Sequence, residues 1–121
     1  MSAMLRKIVF ALLMFVFPVL TIGAAGRTFT LVIDAGHGGH DSGARGAVSA
    51  EKNLTLRYAL AFGKAVEQNC SDVKVIYTRK TDVFLPLHER ADIANRNKAD
   101  LFISIHINAL EPGHISRGFQ S

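Results

Sequence analysis

Thr28-Phe29-Thr30-Leu31-Val32-Ile33 runs straight into Asp34-Ala35-Gly36-His37-Gly38-Gly39, and this junction decides the fold. The first six residues are rich in β-branched and aromatic side chains, as in a buried strand. The loop that follows, through His40, Asp41, Ser42, Gly43, Ala44, Arg45 and Gly46, is rich in glycine. Downstream, Leu54, Tyr58, Ala61, Phe62, Ala65 and Val66 recur at helical spacing and predict an amphipathic helix over 51 to about 68. Ser49 is placed to cap its start, and Asn69 to supply a left-handed residue at its end. Val73-Lys74-Val75-Ile76-Tyr77-Thr78 reads as a second strand. Pro86 opens a second helix, to about residue 97, with Leu87, Ala91 and Ala94 as its apolar stripe. Leu101-Phe102-Ile103-Ser104-Ile105-His106-Ile107 is a third strand, and Pro112-Gly113 marks a turn after it. Strand, helix, strand, helix, strand predicts an α/β fold with parallel strands and right-handed crossovers.

Upstream of the first strand lies a different kind of segment. Arg6 and Lys7 precede an apolar run from Ile8 to Leu20, and Gly23 and Ala25 are small residues at the spacing a signal peptidase reads. Residues 1–25 are therefore expected to be a signal peptide cleaved after Ala25. The alternative, an uncleaved anchor, is disfavoured because a membrane span needs roughly 20 apolar residues. No cysteine follows the apolar run, which argues against a lipid anchor. Removing Arg6 and Lys7 from the 14 basic residues leaves 12 against 10 acidic ones. So slight a positive bias gives no ground for nucleic-acid binding. Cys70 is the single cysteine, so there is no disulfide framework, and any metal must be held by histidines and carboxylates. Cys70 itself reads as a small apolar filler between a helix and a strand.

In open α/β sheets, ligand sites lie beyond the carboxyl ends of the strands. His37 lies just past the first strand, His106 ends the third, and Glu51 opens the first helix. Taken singly, each has a plain structural reading: a polar loop residue, a core histidine, and a carboxylate complementing a helix dipole. Their convergence on one sheet edge points instead to a metal. Two His and one Glu with one position left open form a catalytic zinc set. Gly36, Gly38 and Gly39 would let the loop wrap closely around such an ion. A phosphate-binding loop is excluded, because no Gly-Lys-Ser/Thr ending leads into a helix.

Three groups of residues carry a family resemblance. Asp34-Ala35-Gly36-His37-Gly38-Gly39 with Asp41, Gly43 and Glu51-Lys52-Asn53 is the first. Thr78-Arg79-Lys80-Thr81-Asp82 with Leu85, Leu87, Arg90 and Ala94-Asn95 is the second. Ser104-Ile105-His106-Ile107-Asn108-Ala109 is the third. In this order, from about Phe29 to Ala109, the chain resembles the zinc-dependent N-acetylmuramoyl-L-alanine amidases. The resemblance implies a three-layer α/β/α domain with a mostly parallel sheet, of which this chain supplies the first three strands and two helices. It implies hydrolysis by zinc-activated water of the amide between N-acetylmuramic acid and the L-alanine of the peptidoglycan stem peptide. His37, Glu51 and His106 match the family's zinc ligands. The family's general-base glutamate comes from a later strand. Here only Glu111 follows His106, without a motif match, so residues 26–121 are expected to form an incomplete catalytic domain whose general base lies after Ser121.

The expected setting is the periplasm or cell envelope, with peptidoglycan as substrate, no nucleic acid and no stable membrane insertion once the leader is removed. Regulatory or divisome partners are not legible. One alternative function is an inactive, amidase-like module that binds peptidoglycan or regulates without a general base. A second is another zinc peptidase, against which the absence of a His-Glu-x-x-His helix counts. Among the remaining polar residues, Arg79, Asp82 and Arg90 are expected to form an ion-pair set fixing the loop after the second strand. Asp34 is expected to orient the ligand loop or accept a hydrogen bond from a ligand imidazole. Asn108 reads as a turn residue, and His40, His88 and His114 as solvated side chains.

Overall fold

The computed structural model describes residues 26–108. The leader expected over residues 1–25, the Pro112-Gly113 turn, Glu111 and His114 lie outside the described residues. Within them the chain forms β1 (Phe29–Ala35), α1 (Glu51–Asn69), β2 (Val73–Tyr77), α2 (Leu87–Arg96) and β3 (Leu101–Ile105). The strands lie in the order β2-β1-β3, with both pairings parallel. Ile33 sits between Tyr77 and Ile103, and Ala35 is level with Ile105, so the strand ends come to one edge.

β1 is the central strand and is covered on both faces, which is why its sequence is apolar without alternation. Leu31, Ile33 and Ala35 pack with Ala59 of α1, and Leu56, Val66, Val75 and Ile103 extend that cluster. Alternation along the strand turns Val32 and Asp34 to the other face, where Arg90 of α2 meets Asp34. One helix on each face of a parallel sheet makes three layers.

The packed faces of the helices differ from the expected stripes. α1 buries Glu51, Thr55, Ala59 and Gly63, spaced four apart. Tyr58 and Phe62, expected to face the core, are exposed. The cause is size: a row of small residues seats the helix close to the sheet, and a Cβ at Gly63 would collide with the Tyr77 ring. α2 buries Arg90 and Ala94, whereas Leu87 is 83% exposed. Ser49 is not the N-cap. Ala50 occupies that position without a side-chain bond, and loop carbonyls take the first helical amides, Ala44 O from Glu51 N–H (2.8 Å) and Ser42 O from Lys52 N–H (3.1 Å). Asn69 is the last helical residue, and Cys70 after it is extended, so no left-handed residue ends α1.

Candidate metal centre

Beyond β1 the chain reverses within four residues. His37, Gly38 and Gly39 have φ of 62°, 127° and 58°. The Gly38 amide donates to Asp41 O (2.9 Å) and the Asp41 amide donates back to Gly38 O (3.1 Å). His37 thus occupies the left-handed region, uncommon for residues other than glycine although histidine enters it more readily than most. Such outliers mark places where surrounding structure fixes a side chain for use.

The reversal brings His37 onto Glu51. His37 Nε2 lies 3.1 Å from Glu51 Oε1, and His106 Nδ1 lies 3.3 Å from the same oxygen. One donor atom from each of His37, Glu51 and His106 falls within 4.8 Å of the others, a grouping able to hold a metal ion. The two rings meet edge to face, with centroids 4.9 Å apart. Glu51 is buried, and its carboxylate accepts hydrogen bonds from the Ala44 amide (2.9 Å) and the Ile107 amide (2.9 Å). Burial pushes this carboxyl up. The two amides, the electrostatic pull of the nearby His37 ring and the His106 hydrogen bond outweigh it and hold the group below the ordinary glutamate value.

Two glycines make room for the trio. A Cβ on Gly36 would lie 2.7 Å from both ring nitrogens of His106. On Gly43, where φ is +62°, it would lie 2.6 Å from both Glu51 Oε2 and His37 Cδ2. Beside the imidazoles opens a 620 Å³ cleft, lined by Phe84, Leu87, Ala91 and Phe102 together with His37 and His106.

The surrounding charges are arranged differently from the expectation. Asp34 does not reach an imidazole. It accepts from Thr78 Oγ1 (2.6 Å), Ser104 Oγ (2.7 Å) and Arg90 Nη1 (2.8 Å). The carboxylate on a ligand imidazole is Asp41, 2.9 Å from His37 Nδ1. Nor do Arg79, Asp82 and Arg90 form one ion-pair set after β2. Arg79 and Arg90 are buried and grip the loop after β1. Arg79 donates to Ala35 O and Gly36 O, and Arg90 to Ala35 O and His37 O. Exposed Asp82 pairs with Lys52 Nζ (2.6 Å) and accepts from the Gly39 amide (2.8 Å).

Lys52 and Thr55 are contributors that the sequence reading left without a role. Lys52 also donates to Gly39 O, and Thr55 Oγ1 donates to Gly36 O (2.7 Å). The signal was present, since Lys52 belongs to the quoted motif and a threonine interrupts the α1 pattern. His40 stacks on Phe84, and His88 and Asn108 are exposed and outside the metal grouping. Cys70 is half-buried and free. Among the described residues no helix is long and apolar enough to cross a membrane.

Known proteins resemble this chain over the same segment. Residues 31–121 match the family described as N-acetylmuramoyl-L-alanine amidase. The N-acetylmuramoyl-L-alanine amidase AmiC of Escherichia coli is 43% identical over 90 residues, which are 72% of this chain and 21% of that protein. The solved catalytic domain of CwlV, an N-acetylmuramoyl-L-alanine amidase from Bacillus (Paenibacillus) polymyxa var. colistinus, superposes with a TM-score of 0.63. It is 43% identical, with 66% of this chain and 45% of that one covered. The crystal structure of an N-acetylmuramoyl-L-alanine amidase from Clostridium difficile 630 gives a TM-score of 0.69 at 35% identity, covering 77% of this chain and 50% of that one. The chain thus spans about a fifth of the curated relative and about half of each solved structure. Sequence and fold agree over most of the chain, and on that double agreement it belongs to the N-acetylmuramoyl-L-alanine amidase family.

Proposed function

We propose that this protein is a zinc-dependent peptidoglycan hydrolase that cleaves the amide between N-acetylmuramic acid and the L-alanine of the stem peptide, with His37, Glu51 and His106 as the zinc ligands. The observation that carries the reading is the meeting of three donors from distant parts of the chain within 4.8 Å at one sheet edge. The residues fit the ion in three ways. Two imidazole nitrogens and one carboxylate are the donor set of many hydrolytic zinc sites. Glu51 is held in its ionised form by its amide donors. Gly36 and Gly43 leave space that a Cβ would fill.

Zinc supplies a Lewis acid for the scissile carbonyl and for a hydrolytic water. The chain's own contribution is placement. Glu51 is fixed by Ala44 and Ile107, His106 lies over Gly36, and the loop bearing His37 is clamped by Arg79 and Arg90. The cleft beside the imidazoles gives an extended substrate a route to this edge. Proton transfer to the leaving amine is assigned to a carboxylate other than Asp34 or Asp41, because both already accept hydrogen bonds from protein groups. The leader expected over residues 1–25 supports export of the protein to where peptidoglycan is found.

The test is metal content and stem-peptide release from purified peptidoglycan, measured on the full-length protein and on His106→Ala. One zinc per chain in the parent, with loss of both zinc and turnover in the variant, is the expected result. Unchanged metal content and turnover in His106→Ala would overturn the reading.

A further inference from the structure

The two imidazoles that face Glu51 present different nitrogens. His37 turns Nε2 to Glu51 Oε1 (3.1 Å), whereas His106 turns Nδ1 to it (3.3 Å). His37 has no freedom to do otherwise, because its Nδ1 is engaged 2.9 Å from Asp41 Oδ2. Both ring nitrogens of His37 thus face carboxylate oxygens; a neutral imidazole has one N–H, so when Nε2 gives its lone pair to an ion the proton sits on Nδ1 and is donated to Asp41. Asp41 is held in turn from three sides. Its Oδ1 accepts from the Gly43 amide (3.1 Å), and its backbone makes both hydrogen bonds of the Gly38–Asp41 bridge. The loop reversal at His37, Gly38 and Gly39 therefore returns the chain so that residue 41 comes back against the ring of residue 37.

We infer that Asp41 is the positioning residue of the metal centre: it fixes the tautomer and tilt of His37, so that the ion is taken through His37 Nε2 and His106 Nδ1. The inference rests on the zinc reading above and adds an outer carboxylate and a mixed pair of ligating nitrogens to it. Such outer partners commonly alter metal affinity about 10- to 100-fold. Asp41 lines the edge of the cleft but stands outside the metal grouping, and its contact with the centre runs through the imidazole. Its partly exposed side chain (42%) makes its replacement mild for the fold.

The experiment uses the full-length protein loaded with zinc. Long-range nitrogen–proton NMR of the histidine rings reports which nitrogen is metallated and which is protonated. The expected pattern is metallated Nε2 with protonated Nδ1 in His37, and the reverse in His106. A His37 ring bound through Nδ1 overturns the inference. Zinc affinity, measured by competition with a chelator, is expected to fall about 10- to 100-fold in Asp41→Asn and in Asp41→Ala. Asp82→Asn removes another carboxylate that grips the same loop, through Gly39 and Lys52, without touching the imidazole. It is expected to change affinity less than about threefold, outside the outer-partner range. Equal losses in the Asp41 and Asp82 variants would show that Asp41 only holds the loop, and affinity unchanged in both Asp41 variants would also sink the proposal. Failure of the parent protein to take up zinc would instead remove the metal reading itself.

Discussion

Arg90 Nη1 donates a 2.8 Å hydrogen bond to Asp34 Oδ1, and each of the two side chains is only 5% exposed. Around this pair the structure is tied together. Thr78, just past β2, and Ser104 of β3 also donate to Asp34. Arg90 of α2 donates further to Ala35 O (2.7 Å), His37 O (2.8 Å) and Leu85 O (3.0 Å). One carboxylate on β1 thus engages groups from β3, α2 and the end of β2, and the guanidinium reaches the carbonyl of His37. A buried pair with its remaining polar atoms satisfied fixes geometry, and removing one partner leaves the other stranded.

Asp34→Asn should accordingly cost about 3–5 kcal/mol at neutral pH, the usual penalty for stranding one partner of a buried pair. Burial pushes the Asp34 carboxyl up, but the Thr78, Ser104 and Arg90 hydrogen bonds and the Arg90 charge leave it below the ordinary aspartate value. A depressed folded value means the stabilisation is fully present above the unfolded value, about 3.9. It is lost as pH falls through the lower folded value. Urea denaturation of parent and variant from pH 7 downward should show a gap that is constant to about pH 4 and narrows below it. A gap that widens on acidification would contradict the assignment.

Arg79→Lys should be costly although charge is kept. Arg79 Nε donates to Ala35 O (2.9 Å), Nη1 to Thr81 O (3.0 Å) and Nη2 to Gly36 O (2.8 Å) and Lys52 O (3.0 Å). These carbonyls surround a planar fork, and an ammonium at the end of a flexible stem cannot face them all. Ala35 O keeps Arg90 as a donor, and Gly36 O and Lys52 O keep Thr55. The cost is therefore that of lost hydrogen bonds from a charged group, about 1.5–3 kcal/mol each, and a loss of about 2–3 kcal/mol is expected from chemical denaturation. Parental stability in the lysine variant would show that the fork geometry is immaterial.

The strand and helix order was legible because period and glycine content change sharply at Asp34 and again beyond each helix. The meeting of His37, Glu51 and His106 was legible for a geometrical reason, since parallel strands bring their C-terminal ends together. The packed face of α1 was not. Tyr58 and Phe62 dominate any hydrophobic pattern, whereas Thr55, Ala59 and Gly63 decide the contact by being small. The partners of Arg79 and Arg90 were hidden as well, because they are backbone carbonyls as many as 55 residues away, which no local spacing encodes. The exchange of Asp34 for Asp41 as the imidazole's carboxylate has a similar origin. Nearness to the loop favoured Asp34, but strand alternation turns it toward α2, and the positive-φ reversal carries Asp41 back instead.

Gly36→Ala separates the position of His106 from the integrity of the fold. Gly36 is buried and takes no left-handed conformation, so alanine meets no backbone strain there, and its amide can keep its 3.0 Å bond to Ile105 O. The added methyl would nevertheless lie 2.7 Å from Nδ1 and Nε2 of His106. The exposed imidazole is the group able to yield, because β1 is locked between β2 and β3. Overpacking of a tight site costs about 1–3 kcal/mol. Restricting the unfolded chain returns about 0.4–1 kcal/mol, so stability without metal should fall by no more than about 2.6 kcal/mol. Metal binding should suffer more, because zinc ligation tolerates displacements of only about 0.2 Å. Zinc affinity by chelator competition is expected to drop at least about tenfold, a loss of the size that disturbing a ligand's surroundings produces. In the double variant with His106→Ala, the glycine substitution should add nothing further, since the ring it displaces is already gone. A Gly36→Ala protein that binds zinc as tightly as its parent would show that His106 does not ligate from its place above this glycine.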